Sequence, residues 1–243
     1  MILRPITAAV QSCPARRRDK YSLAYRRPHM ELPQLDAIMG PRISDGAGMG
    51  LFSKRLAPFE VTICGIDELG LHCDGRVTHV LSILDPGWPE PEAFGDFDPH
   101  QRLELRFHDV IEAGAGWTVP ERQDVELLLT FGRDLSEARN PHLLVHCHAG
   151  VSRSTAAATL ILTQARPDRP AEEALLTVVR RRPRAWPNLR IIELGDALLG
   201  RRGEIVEAAR AHYRRVLERE PWLIDQMIEG GRGREVGGAG KLS

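Results

Sequence analysis

The residues whose types and spacing could do chemistry stand together at 146–155, reading HCHAGVSRST. Cys147 and Arg153 are separated by five residues, among them Gly150, which permits a backbone turn closed to other residues. A loop of that length curls so that successive backbone N–H groups converge while the guanidinium folds back over the same space. It would bind a tetrahedral oxyanion. The amides of His148, Ala149, Gly150, Val151, Ser152 and Arg153, the positive end of a following helix and a guanidinium fork that grips two oxygens all favour the anion. The same groups favour a thiolate over a thiol at Cys147. The chemistry this supports is in-line attack of Cys147 on a phosphate monoester, giving a phosphocysteine that water then hydrolyses. Ser154 can donate its hydroxyl to the thiolate and ease its departure in the second step, and His146 can hold the loop through hydrogen bonds. Protein groups supply all the charge stabilisation, so neither a metal nor an organic cofactor is implied.

Such a loop must follow a buried strand and open a helix. Leu143, Leu144 and Val145 supply the strand, and earlier apolar runs at 61–66, 77–84 and 103–107 read as further strands. Thr118 to Glu121 offers a capping box, followed at helical spacing by Val125, Leu128, Leu129 and Leu135. Residues 85–100, rich in Pro, Gly and acid, read as a loop. After the loop, helical patterns occupy roughly 153–166, 171–182, 188–200 and 203–219. Strands alternating with helices predict an α/β fold, a central mainly parallel sheet of four to five strands flanked by helices, with a helical C-terminal part. The expected organisation is a basic, poorly ordered extension over 1–55, a catalytic domain over 56–220 and a Gly-rich tail over 221–243.

The segment HCHAGVSRST resembles the signature of the cysteine-dependent protein tyrosine phosphatases, and its AGVSRS portion is most similar to the dual-specificity branch. RPRAWPN, at 182–188, resembles the Arg-Pro and Pro-Asn segment that opens a later helix in that family. The likeness covers roughly residues 57–200 and implies the family's fold. Attack expels an alkoxide or phenoxide, so a general acid must reach the leaving oxygen. The family supplies it as an Asp on a mobile loop before the nucleophile, which points to Asp109, 38 residues upstream of Cys147. Glu112 and Asp124 are the alternatives. Trp88, Pro89 and Glu90 superficially resemble the Trp-Pro-Asp loop of the tyrosine-specific branch, but they follow the wrong strand, and Glu90 stands 57 residues before Cys147. They read as a surface loop bordering the cleft at most.

Composition fixes the setting. The chain has 243 residues, 42% hydrophobic and 27% charged, with a formal net charge of zero. No global basic field recruits nucleic acid or anionic lipid, although residues 1–55 carry ten Lys/Arg against four Asp/Glu. Cys13, Cys64, Cys73 and Cys147 are too scattered for a disulfide framework, which makes a reducing cytoplasm the default. Cys64 and Cys73 read as strand packing or as resolving thiols for an oxidised Cys147. His146 and His148, taken with Cys64, His72, Cys73 and His79, match no paired zinc-ligand spacing. Arg180, Arg181, Arg182 and Arg184 read as cations favoured at a helix C-terminus, with steering of anionic substrates as the alternative. The expected partner is a phosphorylated protein or another phosphomonoester, with no nucleic acid and no membrane. Two rival readings stay open: the same chemistry on a phosphoinositide, RNA 5′-phosphate or small metabolite, and a module that binds phosphate without turning it over.

Overall fold

The structure is a computed structural model that describes residue 57 and residues 59–73 and 75–237. The N-terminal extension expected over 1–55 lies outside the described residues. Four strands form one sheet in the order β1-β4-β2-β3, and every pair is parallel: β1 (Glu60–Cys64), β2 (His79–Leu84), β3 (Gln101–Arg106) and β4 (His142–His146). Helix α1 (Arg122–Glu137) joins β3 to β4, and α2 (Arg153–Ala165), α3 (Ala171–Arg181), α4 (Leu189–Leu199) and α5 (Glu204–Leu217) follow. The β-branched and leucine-rich runs of β2 and β4 are buried on both faces, as expected of parallel strands covered on each side.

Register decides where the chemistry sits. His146 lies opposite Cys64 on one side and Ser82 on the other. The chain after β4 therefore leaves the sheet between its neighbours, at the carboxyl edge where open parallel sheets bind ligands. Strand β2 runs two residues further, through Leu84, and lifts Asp85 beside that exit.

Helix α2 is the axis of the helical layer, buried at every position from Arg153 to Thr163. Ala156, Ala157 and Ala158 admit close neighbours, and a Cβ on Gly195 of α4 would lie 2.3 Å from the Leu160 methyls. With no solvent face available, Thr155, Thr159 and Thr163 return their hydroxyls to the carbonyls of Val151, Thr155 and Thr159. The opposite face of the sheet holds a smaller cluster of Cys64, Leu69, Val77, Val80 and Leu144, against which Phe94 and Phe97 pack.

Three expectations need correction. The cap of α1 is Glu121, paired with Asp124 in a reciprocal box, because Thr118 exchanges two hydrogen bonds with His108 instead. Residues 85–100 include a 3-10 turn (Glu92–Asp96), held by the packing of Phe94 and Phe97. The segment read as a tail from 221 is folded through residue 237. It forms α6 (Leu223–Glu229) and α7 (Gly233–Val236), and Leu223, Met227 and Val236 join the main core. Leu223 and Met227, four residues apart, give this segment one apolar stripe to dock, which outweighs its glycine content.

Candidate active site

Loop 147–153 is held from outside by its carbonyls. His148 accepts from the Ile66 amide at 3.0 Å, Ala149 and Gly150 from the Arg182 guanidinium at 2.7 and 3.1 Å, and Val151 from the Trp186 amide at 2.9 Å. Ser152 accepts from the amides of Ala156 and Asn188 at 3.0 and 3.2 Å. A trans peptide points its N–H opposite to its C=O, so five carbonyls committed outward turn the other side of the loop over to its amides. Gly150 makes this curl possible. Its φ is +69°, and an added Cβ would stand 2.4 Å from the Cys64 carbonyl carbon.

Inside the curl, the Cys147 Sγ lies 3.3 Å from the Ser154 Oγ, with both residues buried. Ser152 is the N-cap of α2, yet its hydroxyl makes no cap bond and donates to the Asp109 Oδ1 at 2.7 Å. Diverting the cap leaves the first amides of α2 without that side-chain acceptor, a condition under which helix N-termini take anions.

Arg153 is 3% exposed. Its Nη1 donates to the Asp85 Oδ1 and to the Phe107 carbonyl, each at 2.6 Å, while its Nε is buried with no partner among the described residues. A buried guanidinium N–H without an acceptor carries a full desolvation penalty, which an incoming oxyanion would remove. The His148 Nε2 accepts from the Asp85 amide at 3.1 Å, leaving no proton there for the Asp85 carboxylate at 3.4 Å. Trp88 sets its ring edge-on to His148, with centroids 4.2 Å apart. The segment at 88–90 thus borders the loop, as the sequence allowed.

Asp109 is brought to the loop by β3 and held from three sides. Its Oδ1 accepts from Ser152 and from the Asn188 Nδ2 at 2.9 Å, and Arg232 approaches to 3.4 Å. Burial alone would raise its carboxyl, but Arg232, then Arg153, with the Asn188 and Ser152 hydrogen bonds, outweigh burial and hold it below the usual carboxylate range. The two alternatives are engaged elsewhere: Glu112 pairs with Arg234 at 2.6 Å, and Asp124 caps α1. Asn188 carries two duties, since its Oδ1 also accepts from the Ile191 amide as the N-cap of α4.

His146 does not act as the sequence implied. It is fully buried, neither ring nitrogen has a hydrogen-bond partner among the described residues, and its ring packs 5.5 Å from that of Phe94. Burial pushes its pKa down to about 3, so it supports the loop as a neutral packing group. The loop is held by hydrogen bonds from Arg182, which also pairs with Glu68 at 2.8 Å. Arg182 therefore does more than balance a helix dipole. Cys64 is buried at the end of β1, and burial pushes its thiol well up.

Sequence reasoning missed Asp85, Arg232 and Glu235. Asp85 gave no signal beyond ending a strand. Arg232 and Glu235 did carry one, opposite charges three residues apart, but it was hidden among glycines.

No family model matches the chain, and no curated protein matches it. Among solved structures it is similar to human DUSP28, at 19% identity over 60% of this chain and 98% of that one, with a TM-score of 0.45. It is similar also to the PTP-2 phosphatase of Cydia pomonella, at 22% identity over 59% and 87%, TM-score 0.46. A third is PTPMT1 in complex with PI(5)P, at 18% identity over 62% and 94%, TM-score 0.43. All three likenesses stand below 25% identity and below a TM-score of 0.5.

Proposed function

We infer that the chain is a cysteine-based phosphatase that hydrolyses phosphate monoesters, with phosphotyrosine, phosphoserine or phosphothreonine of proteins as the substrate class. The observation that carries this reading is a loop whose five carbonyls from His148 to Ser152 are tied outward around a buried cysteine, beside an arginine whose Nε has no acceptor among the described residues. The Cys147 sulfur attacks phosphorus and the ester P–O bond breaks, with Asp109 passing a proton to the leaving oxygen. Arg153 and the amides of residues 148–153 take the three non-bridging oxygens, whose charge they stabilise more as it spreads in the transition state. Water then attacks the phosphocysteine, returning a proton to Asp109, and the P–S bond breaks. The Ser154 hydroxyl, 3.3 Å away, donates to the departing sulfur.

Residues 148–152 contain no lysine, which favours a phosphoprotein over a phosphoinositide. Competition between a phosphopeptide and a phosphoinositide for the purified enzyme decides between them.

One observation favours a second reading, a module that holds phosphorylated partners. Arg232 and Arg153 keep Asp109 in the form that cannot donate a proton. Hydrolysis of p-nitrophenyl phosphate from pH 5 to 8, with EDTA present, separates the two. A phosphatase turns over and loses more than about a thousandfold on Cys147→Ser, as nucleophile removal does in other covalent enzymes. A folded wild type with no turnover that binds phosphopeptide supports the module.

A further inference from the structure

Two buried charges outside the loop take no direct part in the chemistry above, yet they touch Ser152, Asp109 and the turn that carries Asn188. Arg232 is 6% exposed and Glu235 is 4% exposed, both at the C-terminal end of the described chain. The Arg232 Nε and Nη2 donate to Glu235 at 2.7 and 2.8 Å, and Nη2 also donates to the Ser152 Oγ at 3.0 Å. Its Nη1 lies 3.4 Å from the Asp109 Oδ1. Glu235 reaches the other way, accepting from the Trp186 Nε1 at 2.6 Å and the Leu189 amide at 3.0 Å. Those two residues flank Asn188, which itself donates to Asp109. Trp186 is in turn stacked on Tyr213 of α5, with centroids 4.6 Å apart.

We propose that Arg232 and Glu235 are a positioning pair, through which the docked C-terminal segment fixes Asp109 and Ser152 against the phosphate loop and so sets the geometry in which the acid works. This rests on the phosphatase reading and deepens it. Two charges this deep would cost more to desolvate than they return as an isolated pair, and apolar residues would fill the same space at least as well. Beyond the bonds they make to each other, their side-chain contacts lead to the loop, to Asp109 or to the turn that carries Asn188, which is where an orienting role belongs.

The charges facing Asp109 are Arg153 from α2 and Arg232, with Tyr213 of α5 and Glu235 behind Arg232, and Glu112 on its own loop turned to Arg234. Removing the Arg232 charge must therefore raise the Asp109 carboxyl, and removing the Glu235 charge must lower it, because Arg232 is then less neutralised. A role confined to folding would move both variants the same way.

The test uses the full chain, with kcat and KM measured on an alkyl phosphate from about pH 2.5 to 8, a range that reaches below the usual carboxylate values where Asp109 titrates. The variants are Arg232→Met, Arg232→Lys and Glu235→Gln, and the folded fraction of each is followed by circular dichroism. The expected result for Arg232→Met is a kcat lower by about tenfold to a hundredfold with KM within about threefold, the scale of a small misplacement of a reacting group. Its alkaline limb moves to higher pH, that of Glu235→Gln moves to lower pH, and Arg232→Lys restores the wild-type limb. Limbs that stay fixed, with kcat following the folded fraction, overturn the proposal. Should Arg232→Met not fold, the direction of the Glu235→Gln limb decides. Titration of the Asp109 carboxyl by 13C NMR carries the same test without turnover. Opposite shifts in an inactive protein would keep the positioning pair and defeat the phosphatase reading, while unmoved titration would defeat the pair alone.

Discussion

The phosphate loop and the surroundings of Asp109 lie against each other, yet they are built in opposite ways. The loop is local: Cys147, Gly150, Arg153 and Ser154 fall within eight consecutive residues, and one strand end and one helix start give them their geometry. The surroundings of Asp109 are assembled from Ser152, Asn188 and Arg232, with Glu235 behind, brought together from separate stretches of chain. In the phosphatase reading, a local device would bind a phosphate whatever it is attached to, and an assembled one would act on the part of the substrate that differs, the leaving group, and could be lost without loss of the loop.

The largest effect that would sharpen this contrast comes from Asp109→Asn. On an alkyl phosphate, whose leaving oxygen needs a proton, kcat is expected to fall by about a hundredfold to ten-thousandfold, the usual worth of a general acid. On p-nitrophenyl phosphate, whose phenoxide leaves unaided, the loss should be a few-fold. Steady-state kinetics on the two esters checks this, and equal losses on both would assign Asp109 to the loop rather than to proton transfer.

The difference in construction also explains what could be read from the sequence. The strands ending in β4, the helices α1 to α5 and the loop itself are local periodicities and spacings, and they stand within a few residues of their expected bounds. Asp109 and Asn188 were reachable because each is fixed to the start or end of a regular element. Arg182 was visible only as one of several arginines at a helix end, since nothing in sequence marks the bonds it makes to carbonyls more than thirty residues away. Arg232 and Glu235 lie among glycines in a segment whose helices are short. Their meaning depends on docking, which local propensity does not encode. His146 was misread for a related reason: a histidine beside a nucleophile invites a hydrogen-bonding role, whereas strand pairing buries both its nitrogens.

Arg182→Met tests the loop side. Losing two charge-assisted bonds to the Ala149 and Gly150 carbonyls, each worth about 1.5–3 kcal/mol, should loosen the curl. The expected loss is about tenfold in kcat/KM, equal on alkyl and aryl esters because the loop does not sense the leaving group. A loss confined to the alkyl ester would break the comparison, since it would make Arg182 part of the acid's support.

The smallest effect near neutral pH belongs to His146, whose ring ties the loop to the sheet by packing alone. Its pKa is depressed from 6.5 to about 3 in the folded chain, so between those values the unfolded chain binds a proton that the folded chain refuses. The stability it permits is complete above about pH 6.5 and declines as pH falls toward 3, by up to about 1.4 kcal/mol for each pH unit. His79 and His212 are also lowered by burial, so the wild type should lose stability in acid through several groups at once. His146→Phe keeps a ring against Phe94 and removes one of those protons. Urea denaturation at pH 7.5, 6 and 5 should then give a shallower decline for the variant, with little separation at pH 7.5. Parallel declines would mean that water or a donor reaches the ring in solution, and that the loop is held on its sheet side by hydrogen bonds after all.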